Sequence, residues 1–217
     1  MSVITISREA GSLGTDIAQA VAASLSYKLV NKETLGTLLA KYGLVGFSKV
    51  YDAAPDFWEG FNARKVDERT TMIAMMNRAI LAIAKRGNVI IVGRGGYVAL
   101  SGYADALNVR LQAPIEFRAK AAMTELGLSD LAAAEKDVRE RDRVRALFME
   151  TFYGIKTEPV SSFDLAINIS KVPKDLAVEW IVAAAKAMDK APAASGKLAR
   201  NLEVDSVLDE AVAEIFR

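Results

Sequence analysis

The sequence predicts an α/β fold in which helices cover both faces of a five-stranded parallel sheet. Short apolar, β-branched segments alternate along the chain with longer segments whose apolar residues recur at helical spacing. The clearest short segment, residues 88–92, is apolar almost throughout, as expected for a strand that is covered on both faces. A length of 217 residues and an apolar content of 52% are sufficient for one packed domain of this kind.

The first part of the chain supplies two strands and two helical regions. Residues 3–6 are short and β-branched, and the apolar residues that follow recur at helical spacing from Ile17 to Leu25. Residues 28–30 predict a short second strand. From about residue 32 to residue 86 the pattern is mostly helical.

The second part of the chain alternates strands with helices. Pro114 opens one helix and a run of charged residues marks the next, while apolar β-branched segments predict the strands. In chain order the predicted elements are a strand at residues 88–92, a strand at 107–111, a helix at 114–126, a charged helix at about 129–152, a strand at 165–169 and a helix at 176–188.

A change of composition separates a main domain, residues 1–189, from a tail, residues 190–217. The tail begins with a linker rich in small residues and continues with an apolar stripe at helical spacing, which predicts an amphipathic helix. Ser206 and Asp209 resemble a capping box, which would start this helix. The helix either packs on its own domain or docks onto a partner chain, so a homodimer through it is one of the expected forms.

The composition excludes several classes of chemistry. The chain has no cysteine and no histidine, so it can have neither a thiolate nucleophile nor an imidazole base. A net charge of +1 argues against nucleic-acid binding driven by a surplus of basic residues. Carboxylates, hydroxyls, lysines, arginines, backbone amides and a bound Mg²⁺ remain, and this set suits phosphate chemistry.

The sequence also predicts a cytoplasmic protein without a membrane segment. The first residues lack the charged and long apolar regions of a signal peptide. No stretch approaches the roughly 18 uninterrupted apolar residues that a membrane helix needs.

A glycine-containing turn lies between the first strand and the first helix. Gly11 and Gly14 permit a tight turn whose backbone amides can face a phosphate, and Ser12 and Thr15 offer hydroxyls. The Walker A pattern is not met, because no lysine precedes Lys28. Glycines in such turns also serve tight packing alone, so phosphate binding and packing both remain open at this point.

Arginines supply two further candidates for an anion site. Arg94 lies between glycines just past the strand at residues 88–92, at the sheet edge where ligands bind. The charged helix carries four arginines within seven residues, and helical spacing places Arg141 and Asp142 beside Arg145. This helix suits a movable anion clamp, although a solvated, salt-bridged surface fits the same pattern.

Five segments in the same order resemble the cytidylate-kinase-like family of P-loop proteins. They are ITISREAGSLGTDIA at residues 4–18, NVIIVGRGGYVAL at 88–100, VRLQAPIEFRAKAAM at 109–123, RERDRVRALFMETFYG at 139–154 and FDLAINIS at 163–170. The resemblance implies a P-loop NTPase-like three-layer fold. It also implies a nucleoside-monophosphate kinase that uses ATP and Mg²⁺ and takes a nucleotide as its acceptor substrate.

The resemblance assigns the donor nucleotide to the first turn. The donor's phosphates would be bound by Ser7, Arg8, Gly11, Ser12, Gly14 and Thr15. Thr15 would also be the Mg²⁺ ligand. Arg8 is a candidate catalytic residue, because it or an arginine of the lid could supply the charge of the missing lysine.

The resemblance assigns the acceptor nucleotide to two other segments. Arg94 and the pair Asp142 and Arg145 would bind the acceptor, and Arg141 and Arg145 would reach the transferring phosphoryl group. Residues 32–86 would form the acceptor-binding segment and residues 129–160 a lid. Arg110, inside a predicted strand, is interpreted as structural.

Three positions, in two segments, depart from the expected pattern. Gly14 stands where cytidylate kinases have the Walker lysine, and Leu13 beside it replaces a glycine. Gly95 stands in place of the acid of a Gly-Arg-Asp motif. These departures leave two alternatives open. One is a catalytically impaired nucleotide-binding or regulatory protein, and the other is a kinase for another small metabolite.

Overall fold

The computed structural model describes residues 2–41, 66–190 and 196–216, and five parallel strands form one sheet in it. The strands are β1 (Val3–Arg8), β2 (Lys28–Val30), β3 (Val89–Val92), β4 (Ala106–Gln112) and β5 (Leu165–Asn168). Their order in the sheet is β2-β3-β1-β4-β5, so β1 is central. The predicted α/β class and five-stranded parallel sheet are confirmed.

Helices connect the strands and cover the sheet. Within the described ranges they are α1 (Gly14–Leu25), α2 (Lys32–Lys41), α3 (Val66–Lys85), α4 (Gly96–Ala99), α5 (Ile115–Leu126), α6 (Leu131–Tyr153), α7 (Lys174–Lys190) and α8 (Ser206–Ile215). The predicted helical region at residues 32–86 contains α2 and α3, and its part at residues 42–65 lies outside the described residues. The four-residue helix α4 is too short to produce a periodic signal in the sequence.

Two hydrophobic clusters lie on opposite faces of the sheet. On one face, Ile17 of α1 and Ile181 of α7 pack against Ile4 and Ile6 of β1. On the other, α2, α3 and α6 supply the largest share of a second cluster that includes Phe148. The fold therefore has three layers, with helices on both sides of the sheet.

Parallel pairing brings the two glycine-containing turns to the same edge of the sheet. Val3 of β1 is paired with Val89 of β3 and with Ala106 of β4, so the three strands run in register towards the same edge. The Gly93 amide donates to the Ile6 carbonyl at 3.0 Å. The turns that follow β1 and β3 therefore lie side by side at the carboxyl edge.

The tail helix α8 packs on its own chain, against α2 and α3. Leu208 and Val212 are buried in the cluster that those helices form. The capping prediction is wrong by one residue. Asp205 is the N-cap and accepts from the Leu208 amide at 3.0 Å, whereas Ser206 is the first helical residue. An acidic oxygen thus meets the free amides of the first turn.

No helix of the described ranges combines the length and the apolar composition that crossing a bilayer requires.

Candidate phosphate-binding site

A pocket of about 310 Å³ lies at the carboxyl edge of the sheet, between the ends of β1, β3 and β4 and the middle of α6. Basic side chains outnumber acidic ones in its lining. The basic members are Arg8, Arg94, Arg110, Arg145 and Lys156, and the acidic members are Glu9, Asp142 and Glu158. Such a surplus of guanidinium groups in a concave site suits an anion.

Arg8, the last residue of β1, crosses the floor of this pocket. A Cβ added at Gly14 would stand 2.6 Å from the Arg8 Cγ, and one added at Gly93 would collide with the Arg8 Nη1. The side chain therefore runs through a slot between the two turns that exists because both positions are glycine. Burial, followed by the positive charges of Arg145 and Arg110, lowers the pKa of Arg8 to about 10.

Arg94 is held in a strained turn after β3. Its φ of +61° lies in the left-handed region, between Gly93 at +72° and Gly95 at +67°. For a residue with a side chain this conformation costs about 1–2 kcal/mol. The side chain is only 7% exposed, and burial together with the charge of Arg8 lowers the pKa of Arg94 to about 9.

Arg145 comes from the middle of α6 and completes a group of three neighbouring arginines. Its Nη1 stands 3.4 Å from the Asp142 Oδ1. Burial lowers the pKa of Arg145, and the attraction of Asp142 does not offset this effect. Arg8, Arg94 and Arg145 are thus all less favourable in the charged form than free arginine would be, because each is buried beside other cations.

Arg110 also lines the pocket, which the sequence interpretation as a structural residue did not anticipate. Its Nη1 donates to the Ser7 Oγ at 2.8 Å and forms an ion pair with Glu158. Its Cζ lies 5.9 Å from the centre of the Phe163 ring. A charged residue near the carboxyl end of a predominantly apolar strand was the signal for this position.

The turn after β1 is fastened by Arg118 of α5, a residue that sequence reasoning missed. Its Nε donates to the Ala113 carbonyl at 2.8 Å and its Nη1 to the Ala10 carbonyl at 3.2 Å. It forms ion pairs with Asp142 and, at 3.4 Å, with Glu9. One arginine in a helix carries no sequence signal of such a role, since three of its four partners, Glu9, Ala10 and Asp142, belong to other elements.

Asp142 connects this fastening to the lid-like helix α6. Its Oδ1 accepts from the Ala10 amide at 2.8 Å, and its Oδ2 pairs with Arg118. The carboxylate thus holds the turn after β1 against α6 and reaches Arg145 at the same time. The predicted role of Asp142 in binding the acceptor stays a prediction.

The predicted donor residues of the turn lie beside the pocket. Gly11 packs against the backbone of Arg118, and the buried Ser12 hydroxyl donates to the Glu9 carbonyl at 2.8 Å. Thr15 is exposed in the first turn of α1. Neither they nor Gly14 belong to the pocket lining, which includes Ser7 and Arg8 from the same segment.

The first turn of α1 still offers amide donors at this edge. The first intrahelical bond runs from the Ile17 amide to the Leu13 carbonyl at 3.0 Å. The amides that precede Ile17 are the ones that a helix start leaves without an intrahelical acceptor. They adjoin the pocket through Arg8, whose stem lies against Gly14.

Arg141 is not brought to the pocket with Arg145. Its Nη2 lies 2.6 Å from an Asp137 carboxylate oxygen and its Nη1 3.7 Å from one of Glu125. These pairs hold it on the side of α6 that faces α5. Its predicted contact with the transferring phosphoryl group stays a prediction.

Tyr153 covers position 95, where the cytidylate kinases have an acid. A Cβ added at Gly95 would lie 2.7 Å from the Tyr153 hydroxyl and still closer to the ring. The hydroxyl is within hydrogen-bonding distance of the Asn77 Oδ1, at 2.9 Å, and of the Arg94 carbonyl, at 3.3 Å. Burial raises the pKa of Tyr153. A neutral ring therefore fills the space of the missing carboxylate.

Known proteins share this sequence pattern and fold. A model of the cytidylate kinase-like family matches residues 3–171. The chain belongs to this family. It is 30% identical to a cytidylate kinase of Ignicoccus hospitalis over 83% of this chain and 97% of that protein. It is 32% identical to a cytidylate kinase of Pyrococcus horikoshii over 78% of this chain and 80% of that protein.

A solved structure, described as an uncharacterized protein from Eubacterium ventriosum, has the same fold as this member of the cytidylate kinase-like family. The two align with a TM-score of 0.64 and 21% identity over 86% of this chain and 98% of the other. At that identity the likeness concerns the fold alone. Family membership supports a kinase of nucleotides or of other small molecules.

Proposed function

We propose that this protein is a nucleoside-monophosphate kinase that transfers the γ-phosphoryl group of ATP to a nucleotide acceptor of the cytidylate type. The observation that carries the proposal is the group of three arginines, the buried Arg94 with the partly buried Arg8 and Arg145, beside a glycine-containing turn at the carboxyl edge of a parallel sheet. The relatives named cytidylate kinase support this choice of acceptor class.

The proposed roles follow from the charges of the site. Phosphoryl transfer depends on positioning and on stabilising the charge of the transferring group, for which guanidinium groups and backbone amides are sufficient. The turn before α1 binds the donor's phosphates, and Arg94 binds the acceptor's phosphate. Arg145, held by Asp142, lies near both and stabilises the transferring group.

The residues present suit a magnesium ion that enters with ATP. Within the described part of the chain no group of three or more acidic residues could hold a metal by itself. Mg²⁺ in kinases is bound largely by substrate phosphates and water, with one or two protein ligands. The exposed Thr15 hydroxyl, in the first turn of α1, is suited to that position. The ion would neutralise charge on the donor's phosphates.

The proposal is tested with purified protein, ATP, Mg²⁺ and a panel of nucleoside monophosphates. We expect ADP and the corresponding nucleoside diphosphate to form together in equal amounts, with CMP among the best acceptors. Omitting the acceptor is the control for simple ATP hydrolysis. A full panel without any nucleoside diphosphate would overturn the proposal.

A second candidate is a kinase for another small phosphorylated metabolite. The ring of Tyr153 over Gly95 favours it, because the acid that this position supplies in cytidylate kinases is missing and could not be accommodated. ADP formation with sugar phosphates or other small phosphorylated compounds, and not with nucleotides, would select this candidate.

A further inference from the structure

The turn after β1 departs from the Walker A pattern in two complementary ways. In G-x-x-x-x-G-K-[ST], counted back from Thr15, the first position is a glycine and the position before Thr15 is a lysine. This chain has Arg8 at the first of these positions and Gly14 at the second. Relative to the pattern, the turn therefore lacks a cation at position 14 and has an additional cation at position 8.

The structure brings these two positions into contact. The Cβ and Cγ of Arg8 lie where a side chain at position 14 would begin, because a Cβ there would stand 2.8 Å and 2.6 Å from them. The guanidinium end continues past Gly93 into the pocket. Arg8 therefore occupies the volume next to the turn that a lysine at position 14 would leave from.

The carboxylates of the pocket are engaged by groups other than Arg8. Glu9 accepts from the Ala113 amide at 3.0 Å and pairs with Arg118. Asp142 binds the Ala10 amide, Arg118 and Arg145.

The third carboxylate, Glu158, pairs with Arg110 and accepts from the Ser7 hydroxyl at 3.3 Å. Within the described ranges, Arg8 forms no ion pair. It is a partly buried cation that lines a pocket with two other cations, Arg94 and Arg145, close to it. A charge removed from water without an ion-pair partner is unfavourable. An anion that binds in the pocket would provide the negative charge that Arg8 does not find among the described residues.

We propose that Arg8 replaces the missing lysine of the phosphate turn and binds the terminal phosphate groups of a polyphosphate, such as a nucleoside triphosphate, from across the slot between Gly14 and Gly93. This inference rests on the proposed function for the identity of the donor. The planar guanidinium can bind two phosphate oxygens at once, whereas a lysine ammonium acts as a point charge. The two glycines are required because the stem of Arg8 passes between them.

The first test measures anion binding and does not depend on turnover. Calorimetry gives the Kd of inorganic tripolyphosphate and of ATP, each with Mg²⁺, for the wild type, Arg8→Ala and Arg8→Lys. We expect Arg8→Ala to weaken both ligands at least tenfold and Arg8→Lys to weaken them less. Arg200→Gln is the matched control, since Arg200 is exposed in a turn of residues 199–201 and does not line the pocket.

The second test returns the positive charge from position 8 to position 14, where the Walker A pattern has its lysine. Gly14→Lys alone places a side chain against the stem of Arg8, so we expect it to weaken tripolyphosphate binding at least tenfold. Arg8→Gly combined with Gly14→Lys frees that space and restores the lysine. We expect the double variant to bind within about tenfold of the wild type, and clearly better than either single variant.

Two results would overturn the inference. One is a Kd of Arg8→Ala within twofold of the wild type for both ligands, with the variant folded by circular dichroism. The other is a Gly14→Lys variant that binds as tightly as the double variant. If the double variant fails to fold, the series of Arg8 variants decides alone. A wild type that binds tripolyphosphate through Arg8 but turns over no acceptor refutes the proposed kinase activity and supports this inference.

Discussion

Two arginines on either side of the same turn, Arg118 buried and Arg8 partly buried, have opposite surroundings. Arg118 is 9% exposed, and its guanidinium contacts two carboxylates and two carbonyl oxygens. Arg8 lies on the other side of the turn, next to the cations Arg145 and Arg110, and forms no ion pair with the described residues. Two arginines beside one turn thus differ in their partners, since the described residues provide carboxylates for Arg118 and none for Arg8.

The difference separates support from binding. A guanidinium whose partners are all supplied by the fold contributes to stability and holds its neighbours in place. One that the fold leaves beside other cations is kept at a cost in stability, which is typical of a ligand site. We therefore assign Arg118 to the support of the turn, whereas Arg8, which forms no ion pair with the described residues, is the arginine that we propose for the ligand.

The largest expected effect is a loss of activity on replacing the arginines that line the pocket. Arg94→Ala and Arg145→Ala should each lower kcat/KM about 10³-fold, which equals about 4 kcal/mol, because in the proposed mechanism Arg94 binds the acceptor's phosphate and Arg145 stabilises the transferring group. The measurement is a coupled assay of ADP formation with the best acceptor of the panel. A loss below tenfold in both variants would remove these arginines from the reaction.

The next largest effect is a loss of stability on replacing Arg118, which supports the turn after β1. Arg118→Met should lower the free energy of unfolding by about 3 kcal/mol, because it leaves Glu9 without its cation and leaves Asp142 with Arg145 alone. Denaturant titration gives this quantity, and Arg200→Gln, which should stay within about 0.5 kcal/mol, is the control. A folded Arg118→Met variant of unchanged stability would show that the turn does not depend on this arginine.

An intermediate effect tests whether an anion stabilises the arginines of the pocket. Since the pKa values of Arg8 and Arg94 are lowered in the folded protein, their charged forms are less favourable there than in the unfolded chain. An anion that binds only the folded state then adds stability, about 1.4 kcal/mol at ten times its Kd. The midpoint temperature of thermal unfolding should rise when pyrophosphate is added and should not rise when chloride is added at equal ionic strength. An equal shift with both salts would contradict a specific site.

The smallest effect belongs to a third kind of cation, one exposed to solvent. Lys41 pairs with Glu214 of the tail helix at 2.6 Å, and both side chains are about half exposed, at 45% and 50%. Lys41→Ala should therefore change the free energy of unfolding by about 0.5 kcal/mol or less. A loss above 1 kcal/mol would mean that this pair, rather than the burial of Leu208 and Val212, holds the tail helix in place.

The sequence predicted the site in part. The glycines of both turns and the position of Arg94 after a buried strand were visible as patterns, and so was the charged helix that carries Arg145. The sequence did not distinguish Arg141 from Arg145, because both lie within the same run of charges. The structure does so, since one side of α6 faces the pocket and the other faces α5. The sequence also gave no sign of Arg118, because Glu9, Ala10 and Asp142, three of its four partners, are distant in the chain.

By itself, the sequence determined the fold class, the five strands and the amphipathic tail, because these depend on the period of apolar residues along the chain. It also determined which chemistry is available, through the absence of histidine and cysteine. Only the tertiary structure decided that Arg118 pairs with two carboxylates and that Arg8 forms no ion pair with the described residues. That distinction depends on which carboxylates the parallel sheet and α6 place near each guanidinium. The spacing of residues along the chain does not give these distances.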